Sequence, residues 1–342
     1  MQLNASIRVG VIGAGGWGTA LADLLARGGH SITLWSFEEE VARLIELKRE
    51  NEIYLKGISL SDQIHPTTDI EEATRDNDLI ISVSPSHVVR EVMERARPYI
   101  DRNAVALSAS KGIEKETLLT MSGVLRQALG SGLPIAVLSG PSFAQEVARG
   151  YPTAVSVASE REDIAEGLQH ILSTKRFRVY ASDDVIGLEL GGSLKNVIAI
   201  AAGISDGLGF GTNTRAALIT RGLAEISRLA IKMGGNPLTL AGLGGLGDLV
   251  LTCTGDLSRN RQVGLKLGQG KSLAEILGDM RMVAEGIRTT ESAYELAKKH
   301  SVEMPITNAV YAILYQSKNP KDAVFELMTR DLKHEIDGYS LP

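Results

Sequence analysis

The sequence is poor in cysteine and in clustered positive charge. A single cysteine, Cys253, excludes an intrachain disulfide and a zinc site built from several thiolates. The 342 residues carry 36 Lys and Arg against 41 Asp and Glu, a formal net charge of −5, and no long basic block occurs. Nucleic acid is therefore not an expected partner, because counterion release needs clustered cations. An anionic substrate must instead be held by a few local cations.

Long apolar runs and metal-ligand patterns are also missing. No run reaches the ~18 uninterrupted apolar residues that a membrane span requires. The mostly apolar stretch 7–26 resembles a signal peptide only superficially, because Asp23 and several central glycines interrupt it. The six histidines show no metal-ligand spacing. We expect a soluble, cytoplasmic protein without a metal and without stable membrane insertion.

Glycine, in contrast, is abundant, with 36 residues. The first half of the chain alternates short β-branched runs with helical patterns, which predicts a parallel sheet with crossover helices. The predicted strands are 7–12, 31–35, 79–83, 105–108, 135–138, 154–158 and 177–180. After about Asp184 the patterns are helical, so we predict a second, all-helical domain.

The strongest motif is the glycine-rich segment Gly13–Gly18, which follows the first strand and precedes the first helix. Its G-x-G-x-x-G spacing permits a tight turn, and the helix N-terminus then offers free N–H groups to a pyrophosphate. We predict an α/β protein with a Rossmann-type, doubly wound, mainly parallel dinucleotide-binding domain at 1–184. The helical domain at 185–342 is then expected to bind the substrate.

The end of the second strand bears on the choice between NAD and NADP. Its sequence is Trp35-Ser36-Phe37-Glu38, with two further glutamates and no arginine. A carboxylate there binds the ribose 2′-hydroxyl, whereas a basic residue accepts a 2′-phosphate. The glutamates equally suit the first turn of a helix. The choice of cofactor stays open, with a slight preference for NADH.

Other loops follow strand ends, where an open parallel sheet binds ligands. They are 84–86, 110–112 and 139–142. Lys111 follows its strand directly, so its ammonium either points into a cleft or is a solvated loop lysine.

One lysine stands out in the helical half. At helical spacing Lys195 shares a face with the small residues Gly192, Ala199 and Ala202. Burying a lysine is costly unless it is paired or deprotonated, and burial lowers its pKa towards the range of a usable acid/base. The alternative is a snorkelling lysine at a helix edge.

Two further segments can carry function. The glycine-dense run 242–247 ends at Asp248, which is either a functional acid or a solvent-exposed turn residue. Ser258-Arg259-Asn260 stands at a predicted helix start, where a hydroxyl, a guanidinium fork and an amide suit a small phosphate. A plain N-cap explains Ser258 alone. Cys253 lies in an apolar run, so we expect it to belong to the hydrophobic core and not to be a nucleophile.

These motifs, with several further segments, follow one another along the chain in the order of a known protein family. They include the segments 13–22, 110–112, 139–144, 177–180, 191–203, 205–211, 217–225, 245–254, 258–261, 283–286 and 304–307. With them the chain resembles bacterial NAD(P)-dependent glycerol-3-phosphate dehydrogenases over nearly its whole length. The resemblance implies reversible hydride transfer between dihydroxyacetone phosphate and sn-glycerol 3-phosphate, a precursor for glycerophospholipid synthesis.

The resemblance also implies roles for individual residues. Lys195 is the implied catalytic acid/base, with Asp248 beside it. The expected substrate-binding residues are Lys111, Gly140, Ser142, Lys195, Asp248, Ser258, Arg259 and Asn260. The expected dinucleotide-binding residues, including the glycine turn, are Gly13, Gly15, Gly16, Trp17, Gly18, Phe37, Tyr54, Lys111, Ala144, Arg259, Val283 and Glu285. A small phosphorylated substrate and a homodimer are the expected partners.

Departures from the family pattern concern the cofactor. Gly16 stands where the family often has serine, which the turn tolerates, and Phe37 and Glu38 stand where a basic residue would bind the 2′-phosphate of NADPH. Two alternative functions remain. One is another β-hydroxyacid-type dehydrogenase with a carboxylate substrate, and the other is a dinucleotide-binding sensor without catalysis.

Overall fold

The chain forms two compact units. A computed structural model describes residues 6–278, 280 and 284–335. Residues 6–111 and 119–185 make up the first unit, and residues 112–118 and 186–335 make up the second. The first unit contains all eight strands of the described residues, and the second is helical.

The first unit is built on one eight-stranded sheet. Its strands are β1 (Arg8–Ile12), β2 (Ser31–Trp35), β3 (Ile64–Thr67), β4 (Leu79–Ser82), β5 (Val105–Ser108), β6 (Ile135–Ser139), β7 (Thr153–Ser159) and β8 (Phe177–Ser182). Their order is β3-β2-β1-β4-β5-β6-β7-β8. Neighbouring strands are parallel except for the antiparallel pair β6 and β7. The expected Rossmann-type, mainly parallel sheet is confirmed.

Helices cover both faces of this sheet. They are α1 (Gly16–Arg27), α2 (Glu39–Lys48), α3 (Ile70–Thr74), α4 (Val89–Ala96), α5 (Met121–Leu129), α6 (Ala144–Ala148) and α7 (Glu162–Leu172). Val11 and Ile12 point to opposite faces, as successive strand residues do, and belong to separate apolar cores. The sequence of a strand that is buried on both faces is therefore a continuous apolar run.

Two expectations for the first unit were wrong in detail. Strand β3 was not predicted, because Pro66 interrupts its short sequence and marks it as an edge strand. The sequence pattern of residues 117–128 predicts a helix over the whole segment, but α5 begins only at Met121. Leu118 has φ 60°, in the left-handed region, so a right-handed helix cannot pass through it.

The second unit is a bundle around one long helix. Its helices are α8 (Val185–Gly207), α9 (Thr212–Lys232), α10 (Pro237–Ala241), α11 (Asp248–Thr254), α12 (Arg259–Gly268), α13 (Leu273–Gly278), α14 (Glu285–Lys299), α15 (Pro305–Tyr315) and α16 (Pro320–Met328). By length and composition α8 could cross a membrane, but 89% of its most apolar 18-residue window is buried inside the protein. A helix that is apolar on all sides is typical of the centre of a helical core.

Candidate active site

The predicted glycine turn joins β1 to α1. Gly13 has φ +128°, and a Cβ there would lie 2.9 Å from the backbone carbon of Val83. A Cβ on Gly18 would overlap the Gly13 carbonyl oxygen. Gly15, the N-cap of α1, makes no side-chain cap, and the space beside its Cα is open. The space beside Gly15 is thus open at the N-terminus of α1, so the turn fits a dinucleotide pyrophosphate.

Asn51, which sequence analysis did not single out, supports this turn. Its side-chain amide donates to the Ala14 carbonyl at 2.9 Å and to the Thr19 hydroxyl at 2.8 Å. Its oxygen accepts from the Tyr54 backbone N–H at 3.0 Å, and the residue is fully buried. The turn therefore has a preformed conformation. No local pattern marks Asn51, because its partner Ala14 lies 37 residues away.

The end of β2 presents an acidic group held by a tyrosine. The Tyr54 hydroxyl donates to the Glu38 carboxylate at 2.7 Å, and this contact raises the pKa of Tyr54 to about 12. Phe37, between β2 and Glu38, is 77% exposed. Glu38 is the N-cap of α2 but makes no side-chain cap there. Its carboxylate is thus engaged by Tyr54 and not by the helix N-terminus.

The loops after β5 and β6 lie next to each other. Lys111 donates from its ammonium to the Gly140 carbonyl at 3.3 Å, and Ser142 donates to the same oxygen at 3.0 Å. Gly140 has φ +142°, a conformation that favours glycine. The structure thus brings together Lys111, Gly140 and Ser142.

Gly16, Tyr54 and Ala144 form a second group in the first unit. A Cβ added to Gly16 would come within 2.8 Å of the Tyr54 carbonyl oxygen and 3.8 Å of the Ala144 methyl group. Serine, common here in the family, would therefore force a shift in this backbone, and glycine avoids it. Trp17 packs against the core of the same unit.

In the second unit, Lys195 on α8 and Asp248 on α11 form a buried ion pair. Lys195 is 6% exposed and Asp248 is 1% exposed, and the ammonium donates directly to the carboxylate. Asp248 is therefore not the solvent-exposed turn residue of the alternative reading. Thr252, one helical turn beyond Asp248, donates to its backbone carbonyl at 2.6 Å and lies 3.4 Å from its carboxylate. Its i+4 spacing was the signal that sequence analysis missed.

The glycine run before Asp248 is not a loop. Residues Leu243–Gly247 form a π-helical turn that leads directly into α11. A Cβ on Gly191 of α8 would overlap the Gly244 carbonyl oxygen, and a Cβ on Gly244 would overlap the Leu188 side chain. The glycines therefore let this turn approach α8 closely enough for Asp248 to reach Lys195.

Ser258, Arg259 and Asn260 stand at the N-terminus of α12, as predicted. The Ser258 hydroxyl caps the helix by accepting from the Arg261 N–H at 3.3 Å. Asn260 accepts from the Gly286 N–H at 2.9 Å and so ties α12 to the start of α14. Burial lowers the pKa of Arg259, and the charge of Glu285 opposes this effect. Arg259 and Glu285 are thus electrostatic neighbours.

The remaining expectations concern cysteine, metals and Val283. Cys253 is fully buried, and burial raises the pKa of its thiol to about 12, so it belongs to the core and is not a nucleophile. Among the described residues no three His, Cys, Asp or Glu side chains form a metal cluster. Val283 lies outside the described residues.

The predicted residues fall into two groups. The dinucleotide residues of the glycine turn, Phe37, Tyr54, Lys111 and Ala144 belong to the first unit, together with Gly140 and Ser142. The acid/base pair, the Ser258–Asn260 segment and Glu285 belong to the second. A cavity of about 610 Å³ lies elsewhere in the second unit, and no predicted site residue lines it.

A Rossmann-type sheet with a glycine turn that fits a pyrophosphate, joined to a helical unit with a buried lysine–carboxylate pair, defines a dinucleotide-dependent dehydrogenase. The model of the NAD-dependent glycerol-3-phosphate dehydrogenase N-terminus matches residues 8–165, and that of its C-terminus matches residues 184–325. The chain belongs to this family of enzymes, which use NAD or NADP.

Individual relatives align with this chain over almost their full lengths. A glycerol-3-phosphate dehydrogenase [NAD(P)+] of Citrifermentans bemidjiense is 57% identical over 330 residues, 96% of this chain and 98% of the relative. The enzyme of that name from Geobacter sulfurreducens is 55% identical, over 96% of this chain and 99% of its own. The crystal structure of glycerol-3-phosphate dehydrogenase from Coxiella burnetii is 44% identical with a TM-score of 0.92, over 95% of this chain and 99% of its own.

Proposed function

We propose that this chain catalyses reversible hydride transfer between NAD(P)H and dihydroxyacetone phosphate, giving sn-glycerol 3-phosphate for glycerophospholipid synthesis. The observation that carries the proposal is the buried ion pair of Lys195 and Asp248 in a chain of this family. When bound, the reduced nicotinamide supplies the hydride. The protein must then supply a proton, a grip on the phosphate and orientation.

Lys195 is the proposed acid/base. Its Nζ donates a proton to the carbonyl oxygen during reduction and takes the proton back from the hydroxyl during oxidation. The Asp248 carboxylate holds the ammonium in place, and Thr252 in turn hydrogen-bonds to Asp248. Because the pair is buried, water competes little with a substrate oxygen for the Lys195 proton.

The N-terminus of α12 is the proposed phosphate anchor. Arg259 offers a guanidinium fork, and the first turn of α12 adds amide N–H groups and the positive end of the helix dipole. Holding the phosphate away from the reacting carbon lets remote binding energy orient the carbonyl. Ser258 and Asn260 support this anchor through the helix cap and the contact with Gly286. Lys111, Gly140 and Ser142 are proposed as further substrate contacts.

The first unit is the proposed dinucleotide domain, and the second is the proposed substrate domain. The open N-terminus of α1, the tight glycines and the buried Asn51 support this assignment. For the remaining dinucleotide contacts we propose Phe37, Ala144, Val283 and Glu285.

NADH is the proposed preferred cofactor. The Glu38 carboxylate stands three residues beyond the end of β2, where an acid suits a ribose hydroxyl and repels a 2′-phosphate. Phe37 supplies no positive charge to offset this repulsion.

A homodimer in the cytoplasm is the proposed working form. The exposed apolar side chains of Phe325 and Met328 on α16, which are 69% and 79% exposed, favour an interface there. Sedimentation velocity tests the dimer, and cell fractionation tests the location.

Absorbance at 340 nm, followed with dihydroxyacetone phosphate and with NADH and NADPH in parallel, tests the function. We expect substrate-dependent oxidation with both cofactors and a higher kcat/KM with NADH. Oxidation only with 2-keto acids would show a different dehydrogenase. Binding of NADH without any turnover would show a dinucleotide sensor and refute the proposal.

A further inference from the structure

Helices α8 and α12 cross with their backbones in contact. A Cβ on Gly203 of α8 would overlap the Arg261 carbonyl oxygen of α12, and a Cβ on Gly264 of α12 would overlap the Ile200 carbonyl oxygen of α8. One turn further, Gly207 and Gly268 face each other in the same way. Reciprocal contacts of this kind allow one register only, because any slip would drive a larger side chain into the facing backbone.

An ion pair fastens this crossing at the end of α8. Arg261 donates from Nε to the Asp206 carboxylate at 2.9 Å, and its Nη1 lies 2.9 Å from Asp256. The other Asp206 oxygen accepts from Nη2 of Arg215 on α9 at 2.6 Å. The side chains of Asp206 and Arg261 are only 7% and 11% exposed. Asp206 thus joins α8, α9 and α12.

Arg259 and Arg261 have different surroundings although only one residue separates them. Two residues span about 200° on an α-helix, so the two side chains leave α12 on nearly opposite sides. Arg261 directs its guanidinium to the two carboxylates Asp206 and Asp256, whereas Arg259 lies in the field of Glu285. Arg261 is therefore engaged in holding the helix, and the proposed phosphate anchor Arg259 lies on the other side of α12.

Lys195 and Arg259 are placed relative to each other through this crossing. Lys195 lies eight residues before Gly203 on α8, about 12 Å along the helix axis. Arg259 begins α12, two residues before the backbone oxygen that faces Gly203. Both residues therefore depend on the same register between α8 and α12.

We propose that Asp206 and Arg261 are positioning residues, which hold Arg259 at the distance from Lys195 that a small phosphorylated substrate requires. The inference rests on the proposed function, because it gives the phosphate to Arg259 and the proton transfer to Lys195. Loss of the pair lets the first turn of α12 move, and a displacement of about 1 Å at a ligand-orienting group costs up to about 10²-fold in rate.

The structure offers a matched pair of variants. Arg261→Ala and Arg215→Ala each remove one arginine from the same Asp206 carboxylate, but only Arg261 lies on α12. We expect Arg261→Ala to raise both the KM for dihydroxyacetone phosphate and the Ki of inorganic phosphate about 10-fold or more. We expect Arg215→Ala to change both less than about 2-fold, and the Kd of NADH to change much less than the phosphate Ki in Arg261→Ala. Arg261→Lys, which keeps a charge beside Asp206, should restore part of the loss.

Each possible outcome either supports or overturns the inference. Equal effects of Arg261→Ala and Arg215→Ala on the phosphate Ki would overturn it, and so would a parallel loss of NADH binding. If Arg261→Ala does not fold, Arg261→Lys and Arg215→Lys are compared by the same criteria. Wild-type protein that does not oxidise NADH with dihydroxyacetone phosphate refutes the proposed function instead. Calorimetric titration with inorganic phosphate then still compares the variants.

Discussion

Lys195 and Asp248 lie 53 residues apart in the chain, yet their side chains are paired and shielded from water within the helical unit. Lys195→Met keeps the apolar stem and removes the proton donor. We expect kcat to fall by about 10²–10⁴-fold, the usual contribution of general acid–base catalysis. The Kd of NADH, measured by fluorescence, should not change, because Lys195 is not among the proposed dinucleotide contacts. Turnover close to that of the wild type would refute the acid/base assignment.

Arg259 is predicted to act in binding. Arg259→Ala should raise the KM for dihydroxyacetone phosphate about 10- to 100-fold with a smaller loss in kcat, because charge-assisted hydrogen bonds contribute about 1.5–3 kcal/mol. Arg259→Lys keeps the charge but loses the fork, so its KM should lie between those of alanine and wild type. Steady-state kinetics at saturating NADH measure both. An unchanged KM in the alanine variant would exclude Arg259 as the phosphate anchor.

Sequence patterns predicted the sheet well, because its strands are buried on both faces and read as apolar runs. They also indicated Lys195, since a lysine among small residues of an apolar helix is costly unless it has a role. The burial of Asp248 could not be predicted, because a run with four glycines before an acid is also typical of an exposed turn. Asp248 is buried because this run approaches Gly191 of α8 closely.

Long-range contacts explain the other omissions. Asn51 acts through Ala14 and Thr19, which the fold brings to it from distant parts of the chain, so it stands in no local pattern. Arg261 directly follows the predicted anchor segment 258–260 in sequence, but its role becomes visible only with Asp206, 55 residues earlier in the chain. Such pairings are properties of the packed core and not of a sequence window.

Glu38 is predicted to disfavour NADPH. Glu38→Arg replaces the acid by a cation that accepts a 2′-phosphate, so the kcat/KM for NADPH should rise and that for NADH should fall. The expected combined change in the ratio is about 10²-fold or more, since a charge is both removed and reversed. Parallel assays at 340 nm measure the ratio. Tyr54→Phe serves as the control, because it releases the Glu38 carboxylate from its hydrogen bond without changing its charge. A ratio that Glu38→Arg leaves unchanged would show that Glu38 does not face the ribose.

Glu225 is predicted to make folding stability depend on pH. It is 2% exposed, and its carboxylate accepts from the N–H groups of Ile306 at 2.6 Å and Thr307 at 3.2 Å. Burial raises its pKa from 4.5 to about 7, whereas the unfolded chain keeps the ordinary value. The folded state therefore retains a proton that the unfolded state has already lost. Stability from this group is complete below pH 4.5 and is lost as the pH rises to about 7, by about 3 kcal/mol.

Glu225→Gln removes the titration while keeping the side-chain shape. Relative to the wild type, this variant should gain about 2.5 kcal/mol of stability between pH 5 and pH 8, because part of the wild-type loss has already occurred at pH 5. Urea unfolding at both pH values measures this difference in the free energy of unfolding. Glu303→Gln is the control, because Lys333 and Arg330 lower the pKa of Glu303 from 4.5, so its contribution is lost only as the pH falls below about 4.5. This variant should therefore show no comparable difference from wild type between pH 5 and pH 8. A difference between Glu225→Gln and wild type that stays constant from pH 5 to pH 8 would show that Glu225 is ionised in the folded protein throughout. Its carboxylate would then be a permanent charged cap on the N-terminus of α15, held there by the amides of Ile306 and Thr307.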